Sequence, residues 1–169
     1  MDTDLRSATV PSPLGELLLV ASPVGLVQVH LPESKGVPAT TDVRHDPGAH
    51  CLPEARAQLR AYVAGELQDF ELPLDERGST FQLRVWTALR EIPYGTTCSY
   101  GEIATRIGED PAVASRAVGL AGGANPNAIV TPCHRVIGAD GSLVGYAGGL
   151  HTKRWLLDLE ARAVGAVLF

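Results

Sequence analysis

The chain has 169 residues, of which 45% are hydrophobic and 20% are charged, and its formal net charge is −5. This composition is typical of a globular protein with a closed core, and no apolar run approaches the roughly 20 residues that a membrane-spanning helix needs. The acidic start, MDTDLRSATV, lacks the basic and apolar layout of a signal peptide, so we expect a cytoplasmic protein whose three cysteines are free thiols.

The first part of the chain predicts a small antiparallel sheet. Two apolar runs rich in Leu and Val, GELLLVAS (15–22) and GLVQVHL (25–31), meet at a turn signal that contains Pro and Gly. The preceding segment, RSATVPSPLG (6–15), completes the sheet. Residues 32–50 are rich in Pro, Gly, Thr and charge, which favours a loop.

A helix and a connection follow this sheet. PEARAQLRAYVAGEL (53–67) has a proline near its start and apolar residues at helical spacing, which predicts a helix. FELPLDERG (70–78) is typical of an edge strand and a connection. Residues 1–75 carry 5 Lys+Arg and 11 Asp+Glu, and the rest of the chain carries 9 and 8. We therefore predict an N-terminal α/β domain over 1–77 and a C-terminal domain over 78–169.

The second part of the chain is predicted to be helical. FQLRVWTALREI (81–92) precedes Pro93, which stops a helix, and one face of this helix is apolar. The apolar face consists of Phe81, Val85, Trp86 and Leu89. CSYGEIATRIG (98–108) contains Ser99-x-x-Glu102, the pattern of a capping box, and ends on a glycine.

A further short helix begins after a tight break. DPAVASRAVGLAGGAN (110–125) has Asp110 as the expected N-cap and Pro111 in the first turn. Two short helices joined in this way match the helix-turn-helix pattern, although many such pairs only pack together. The second helix consists mostly of Ala, Val and Gly around Arg116, and small residues allow a close approach to another surface. The pattern alone leaves DNA binding and simple packing open.

A turn and a final helix complete the chain. Asp140-Gly141 within VIGADGSLVGYAGG (136–149) is a strong hairpin signal. HTKRWLLDLEARAV (151–164) predicts a helix that buries Trp155, Leu156 and Leu159.

A cysteine and a histidine stand side by side in the apolar segment IVTPCHRVIG (129–138). A free cysteine is most often buried as a small apolar side chain, and this interpretation of Cys133 stays open. Adjacent Cys and His lack the separation that a chelating turn needs. The cluster of His45, His50 and Cys51 lies in the polar loop, where solvation explains it more simply. We therefore predict no metal site and no cofactor.

The alternative for Cys133 is a nucleophilic thiolate. Pro132 favours an extended approach, and Arg135 and His134 would favour the ionised thiol. A histidine in this role usually needs a third group that orients it. Glu160 lies on the stripe of the final helix that should face inward, so it either bends out to solvent or is buried with His134 as its partner. Spacing alone does not decide between these two possibilities.

Several segments, in this order along the chain, resemble the O6-alkylguanine-DNA alkyltransferases. They are IPYGTTCSYGEIA (92–104), SRAVG (115–119), ANPNAI (124–129), PCHRV (132–136), GYAGGL (145–150) and KRWLLDLE (153–160). The resemblance is dense over about residues 78–162. It implies an α/β (α+β) fold in which a small N-terminal antiparallel sheet with a helix precedes a helical C-terminal domain. That domain would carry a winged-helix-like helix-turn-helix and the active-site cysteine.

The activity that this resemblance implies is direct reversal of DNA damage by a methylated-DNA–[protein]-cysteine S-methyltransferase. Such a protein flips O6-alkylguanine, and by expectation O4-alkylthymine, out of the duplex and transfers the alkyl group irreversibly to Cys133, once per chain. His134, Glu160 and a bound water would deprotonate the thiol. Tyr100 would meet the base and turn the target phosphate, and Arg116 would replace the flipped nucleotide in the base stack.

The resemblance also implies which residues hold the substrate and the DNA. The loop from Tyr146 to Gly149 would lie beside the guanine O6 and offer a backbone amide, and the carbonyls of Cys133 and Val136 would accept from the guanine amino group. The residues implied at the substrate are Asn125, Val136, Tyr146, Ala147 and Gly148, and those implied at the DNA are Tyr100, Arg116, Ala117, Gly122, Asn125 and Arg135. The expected partner is alkylated double-stranded DNA, which a monomer approaches through the minor groove.

Two other functions stay open at this point. A cysteine hydrolase or peptidase would use the same set of Cys, His and carboxylate, but it would turn over. A module that binds damaged DNA without repairing it is the second alternative. Cys133 counts against this module, because the alkyltransferase-like proteins that bind in this way lack the cysteine.

Overall fold

The computed structural model describes residues 4–32, 34–35 and 38–165. Within these ranges a small sheet and one helix precede a region of four further α-helices and one short 3₁₀ helix (Cys133–Arg135), so the fold is the mixed α/β type that the sequence predicts. Over the same part of the chain, no helix is long and apolar enough to cross a membrane.

The N-terminal sheet contains the three antiparallel strands that the sequence predicts. Strand β1 (Arg6–Ser12) pairs with β2 (Gly15–Ala21), and β2 pairs with β3 (Leu26–His30). A fourth strand, β4 (Arg44–His45), lies parallel beside β1, which gives the order β3-β2-β1-β4. The prediction of a loop over 32–50 misses β4, because two residues are too few to show an alternating pattern.

Helix α1 (Leu52–Val63) covers one face of this sheet. Its inward stripe is fully buried, and it consists of Leu52, Ala55, Leu59 and Tyr62. The helix ends four residues before the predicted end at 67. Gly65 adopts a φ of 78°, and a glycine in this left-handed conformation just past a helix is a common stop.

The prediction of an edge strand within residues 70–78 is wrong. Leu74 forms a single parallel bridge with Leu26, and no strand extends from it in the described structure. Pro73 lacks an N–H group, so it cannot donate to a ladder, although its carbonyl accepts from the Leu26 amide at 2.9 Å. The segment connects the two parts of the chain, as the sequence also predicts.

Four helices follow, close to their predicted positions. They are α2 (Thr80–Arg90), α3 (Tyr100–Arg106), α4 (Pro111–Gly123) and α5 (Leu150–Ala163). The predicted caps form: the Ser99 hydroxyl accepts from the Glu102 amide, and the Asp110 carboxylate accepts from the Ala112 amide. On α5, Leu156 and Leu159 are buried as predicted, whereas Trp155 stays partly exposed.

The predicted hairpin at Asp140-Gly141 forms its turn but not its two strands. Gly141 has a φ of 86°, and the Gly138 amide donates to the Ser142 carbonyl at 2.8 Å. Strand β6 (Val136–Ile137) precedes the turn, but it pairs in parallel with β5 (Cys98–Ser99). No strand follows the turn within the described residues, since two carbonyls there accept from the side chain of a buried lysine on α5.

Two buried clusters meet at the junction of the two parts of the chain. The first packs the sheet and α1 against Ile129, Val130, Leu156 and Leu159 of the C-terminal part. The second joins α2, α3 and α4, and Cys133 packs against it. The Cys-His segment therefore lies where the sheet-bearing part and the helical part are pressed together.

Candidate active site

The turn that carries Cys133 is built on a strained backbone. Ile129 has a φ of 72°, a conformation that β-branched residues rarely adopt, and it is almost completely buried. Strain of this kind costs about 1–3 kcal/mol. The Asn125 side chain braces the turn, because it donates to the Thr131 carbonyl at 2.8 Å and accepts from the Asn127 amide at 3.0 Å.

Cys133 lies at an apolar cavity of about 410 Å³. Helices α3 and α4 and the segment 144–147 form its walls. The cavity brings together the predicted residues Tyr100, Arg116, Gly122, Val136, Tyr146 and Ala147. A second, smaller cleft that also reaches Cys133 is lined by the predicted residues Asn125 and Gly148. Ala117 is exposed on α4 and lines neither space.

The mouth of the cavity is tied together by Tyr100. Its hydroxyl donates to the Val144 carbonyl at 3.0 Å, which links the start of α3 to the loop after the turn. Arg116 lines the cavity from the exposed side of α4.

The residue that follows Cys133, His134, is paired with Glu160. The distance between His134 Nε2 and Glu160 Oε2 is 2.7 Å, and both side chains are essentially inaccessible to solvent. An ionised carboxylate only accepts hydrogen bonds, so we assign the imidazole proton to Nε2. His134 Nδ1 has no partner among the described residues and keeps its lone pair. The structure thus brings together the histidine and carboxylate that the spacing suggested.

Glu160 is held ionised by Arg135. The guanidinium donates from Nε to Oε1 at 2.8 Å and from Nη2 to Oε2 at 3.0 Å, and the Gly95 amide donates to Oε1 at 3.1 Å. Burial raises the pKa of Glu160, but hydrogen bonds from His134 and Arg135 outweigh burial and leave the pKa far below its usual range. Arg135 is predicted at the DNA, but the structure places its guanidinium in this buried pair, with a side chain that is 7% exposed.

Opposing influences act on the thiol and on its neighbour. Burial raises the pKa of Cys133, whereas a hydrogen bond from Asn125 and the charge of Lys153 act to lower it. Burial lowers the pKa of His134 below its usual value despite the hydrogen bond to Glu160. The histidine is therefore a neutral base near pH 7, placed beside a thiol that needs a base.

Lys153 lies at the site, although the sequence does not predict it there. It is fully buried, and its ammonium donates to the carbonyls of Val136 at 2.6 Å, Val144 at 3.2 Å and Gly145 at 3.4 Å. Its positive charge also acts to lower the pKa of Cys133, an effect that the sequence led us to expect from Arg135. The spacing along the chain is the one sequence feature that indicates its burial. Lys153 lies seven residues before Glu160, which places both on the inward stripe of α5.

The loop cluster of His45, His50 and Cys51 does not assemble a site. His50 Nε2 lies 2.8 Å from the Asp4 carbonyl, and His45 belongs to β4. Across the described ranges, no group of three His, Cys, Asp or Glu side chains could hold a metal ion.

Two family models match the chain over almost its full length. The model described as 6-O-methylguanine DNA methyltransferase, ribonuclease-like domain, matches residues 5–76. The model described as 6-O-methylguanine DNA methyltransferase, DNA binding domain, matches residues 80–166.

Known proteins with similar sequences are named methylated-DNA–protein-cysteine methyltransferase. The protein from Mycobacterium tuberculosis strain H37Rv is 53% identical over 152 residues, which cover 90% of each chain. The protein from Methanosarcina acetivorans is 49% identical over 153 residues, which cover 90% of this chain and 96% of that protein.

A solved structure has a similar fold and sequence. The crystal structure of Mycobacterium tuberculosis OGT in complex with DNA matches with a TM-score of 0.87 and 51% identity, and the match covers 94% of each chain.

Proposed function

The chain belongs to the 6-O-methylguanine DNA methyltransferase family, and from this premise we propose that it repairs DNA directly, by moving an alkyl group from guanine O6 to Cys133. One observation carries the proposal. Cys133 lines an apolar cavity, and the next residue in the chain, His134, is buried, neutral and paired with the ionised Glu160. An apolar cavity suits a purine, and a neutral histidine next to the cysteine suits a proton acceptor.

The chemical step begins with the thiol proton. His134 Nδ1 takes this proton through a bound water, and Glu160 stabilises the imidazolium that results. The Cys133 thiolate then attacks the sp³ carbon on O6 in line. A carbon–sulfur bond forms, the carbon–oxygen bond breaks, and its electron pair leaves with the guanine, which takes up a proton. A backbone amide of the 146–149 loop assists the departing oxygen.

The product explains why each chain acts once. The alkylated cysteine is a thioether, which has no leaving group that water displaces under physiological conditions. The protein is thus a stoichiometric acceptor, and it needs no cofactor. We extend the proposal to O4-alkylthymine, because the same in-line attack applies to an alkyl group on that oxygen.

The cavity is reached by a base that has left the duplex, since no protein nucleophile reaches O6 inside the stack. We propose that α4 enters the minor groove, where Gly122 and Ala117 permit close contact and Arg116 fills the vacated place in the stack. Tyr100 meets the base and turns the target phosphate. Asn125, whose amide lies 3.3 Å from Cys133 Sγ, holds the floor of the site.

We also propose that the protein acts as a monomer on alkylated double-stranded DNA in the cytoplasm. Its N-terminal domain covers residues 1–77 and its DNA-binding domain covers residues 78–169. Support for DNA as the partner comes from the similar Mycobacterium tuberculosis structure, which was solved in complex with DNA.

The proposed function is tested by counting transferred groups. The protein is incubated with an excess of duplex DNA that contains O6-methylguanine, and the methyl groups bound to protein are measured over time. We expect a plateau at one group per chain, with none in Cys133→Ser, which should still bind the duplex. Continued turnover, or equal transfer in the variant, would contradict the proposal.

A further inference from the structure

The pair of His134 and Glu160 has a direct contact from the N-terminal part of the chain. Tyr62 lies on α1, and its hydroxyl donates to Glu160 Oε2 at 2.6 Å across 98 residues of sequence. The same hydroxyl is 3.4 Å from His134 Nε2. Tyr62 is fully buried, so no water competes for this position.

Three donors converge on a single carboxylate oxygen. Glu160 Oε2 accepts from His134 Nε2 at 2.7 Å, from Arg135 Nη2 at 3.0 Å and from the Tyr62 hydroxyl. The first two belong to the segment that also carries the nucleophile. Tyr62 differs from them, because it comes from another element of the fold, and unlike Arg135 it carries no charge. Its hydrogen bond therefore acts on the carboxylate without adding charge.

From this convergence we propose that Tyr62 is a positioning residue that keeps His134 neutral by acting on Glu160. Its hydrogen bond draws part of the carboxylate's negative charge away from His134. A carboxylate that lacks this donor would bind the imidazolium more strongly and would raise the pKa of His134. The hydroxyl also fixes where Oε2 lies, and so where the imidazole ring is held.

Tyr62 remains a donor over the whole working range of pH. Burial raises its pKa far above the usual value, and the negative charge of Glu160 raises it further. The hydroxyl therefore does not ionise where the thiol and the histidine titrate. Any effect of removing it on the pH profile has to pass through Glu160 and His134.

Other ionisable groups surround the pair, and each belongs to an element packed against it. Tyr94 follows α2, Cys133 and Arg135 flank His134, Tyr146 lies in the loop before α5, and Lys153 lies on α5. Arg135 and Lys153 lower the pKa of His134 through their charges. These groups stay in place when the Tyr62 hydroxyl is deleted, so its contribution is separable.

The chain offers a matched control for this deletion. The Tyr94 ring lies edge-on to the Tyr62 ring at 6.1 Å, and the Tyr94 hydroxyl is buried without a hydrogen-bond partner among the described residues. Tyr62→Phe and Tyr94→Phe therefore each remove one buried hydroxyl group from the same region of the protein. Only the first substitution removes a hydrogen bond to Glu160.

The test measures the pKa of His134 by NMR in the full-length protein and in both variants. The chain has five histidines, and the His134 signal is the one that disappears in His134→Gln. Tyr62→Phe is expected to raise the pKa of His134 by roughly half a unit to one unit, and Tyr94→Phe should leave it unchanged. In parallel, the rate of alkyl transfer is measured against pH. Its acid limb should move upward in Tyr62→Phe alone, with a loss of about three- to tenfold at the acid end.

The inference rests on the proposed function only for the kinetic measurement. If the wild-type protein transfers no alkyl group, the proposed function fails, and the NMR titration still decides on Tyr62. An unchanged or lowered pKa of His134 in Tyr62→Phe would overturn the inference, as would an equal shift in both variants. A rate that falls by the same factor at every pH, with no shift of the acid limb, would show that Tyr62 only supports packing.

Discussion

At the scale of single residues, the site depends on one buried charge and the donors that satisfy it. Glu160 accepts two hydrogen bonds from Arg135, and this pair keeps the carboxylate ionised at neutral pH. Because burial leaves His134 uncharged, the histidine donates to the carboxylate from one nitrogen and has the other free for a proton. An orienting carboxylate beside a neutral imidazole is the arrangement that activates a nucleophile in many enzymes.

Glu160→Gln is expected to impair both stability and transfer. It leaves Arg135 buried without its counter-charge, which should lower the free energy of unfolding by about 3–5 kcal/mol. It also removes the charge that stabilises the His134 imidazolium, so transfer should slow by roughly 10²–10⁴-fold. Urea unfolding and single-turnover kinetics, under conditions where the variant is folded, measure the two effects.

The control exchanges another carboxylate on the same helix. Asp158→Asn on α5 removes a carboxylate that has no ion pair in the described part of the chain, and it should change neither quantity appreciably. If Glu160→Gln keeps the wild-type rate, Glu160 serves only to hold α5 in place.

Lys153→Met is expected to raise the pKa of the Cys133 thiol. The ammonium group acts to lower this pKa, so its removal should move the thiol toward higher pH by roughly one unit. The pH dependence of thiol modification by iodoacetamide measures the shift. Arg154→Met, at an exposed neighbouring position, should leave the thiol unaffected. Equal behaviour of the two variants would show that Lys153 does not act on the thiol.

At the scale of elements, the proposed contact with DNA depends on α4. The helix carries exposed apolar side chains at Val113 and Leu120, and Arg116 lies between them along the sequence. Small residues around Arg116 let the backbone come close to a groove, and the cavity begins directly behind the helix. An exposed apolar patch that leads to a cavity marks a binding surface.

Substitution of Arg116 should separate base extrusion from chemistry. A guanidinium stacks on neighbouring bases better than an ammonium does, so both Arg116→Ala and Arg116→Lys should react slowly with duplex DNA. Both should react almost normally with free O6-benzylguanine, which needs no extrusion. Single-turnover kinetics on both substrates measure the difference, and Arg106→Ala on α3 is the control. If the rate with free O6-benzylguanine falls by the same factor as the rate with duplex DNA, Arg116 does not act by stacking in the duplex.

Local signals explain which elements the sequence predicts correctly. The caps of α3 and α4 depend on residues within a few positions, so Ser99 and Asp110 were sufficient. Contacts between residues far apart in the sequence have no local pattern that predicts them. Tyr62 binds Glu160 although 98 residues separate them in the sequence. The Arg135 side chain points inward because it forms an ion pair with the buried Glu160. A basic residue beside a catalytic cysteine is equally consistent with DNA contact until that partner is located.

At the scale of the whole molecule, the site belongs to both parts of the chain. The first buried cluster joins the sheet and α1 to Ile129 and Leu156, and the parallel bridge between Val29 and Asn127 crosses the same junction. The turn that carries Cys133 is strained and is fixed from both sides. The N-terminal part therefore contributes to the chemistry through its packing and through Tyr62.

This arrangement predicts that acid destabilises the protein in two stages. Folding holds the pKa of His134 and that of Glu160 below the values of about 6.5 and 4.3 expected in the unfolded chain. The unfolded state binds more protons, so stability is fully present above these values and is lost as pH falls toward the folded pKa values. Urea unfolding between pH 7 and pH 3 should show a decline that begins below about pH 6.5 and steepens below about pH 4.3.

The variant His134→Gln should lack the first decline in stability, which comes from His134, and should keep the second, which comes from Glu160. Its free energy of unfolding should stay nearly constant from pH 7 to about pH 4.3 and then fall. A wild-type protein that is equally stable at pH 7 and pH 3, or a variant with the same decline as wild type, would contradict the assignment of these charges.

The identity of the acceptor is the central claim, and peptide mapping by mass spectrometry tests it most directly. The wild-type protein reacts to completion with duplex DNA that contains O6-methylguanine, and each cysteine-bearing peptide is then weighed. The gain of one methylene should appear on the peptide that contains Cys133 and on no peptide that contains Cys51 or Cys98. The structure gives two reasons for the contrast. Cys51 and Cys98 do not line the cavity at Cys133, and burial and Glu102 raise the pKa of Cys98 to about 11. A gain on Cys51 or Cys98, or no gain on Cys133 after the DNA has been repaired, would contradict the account.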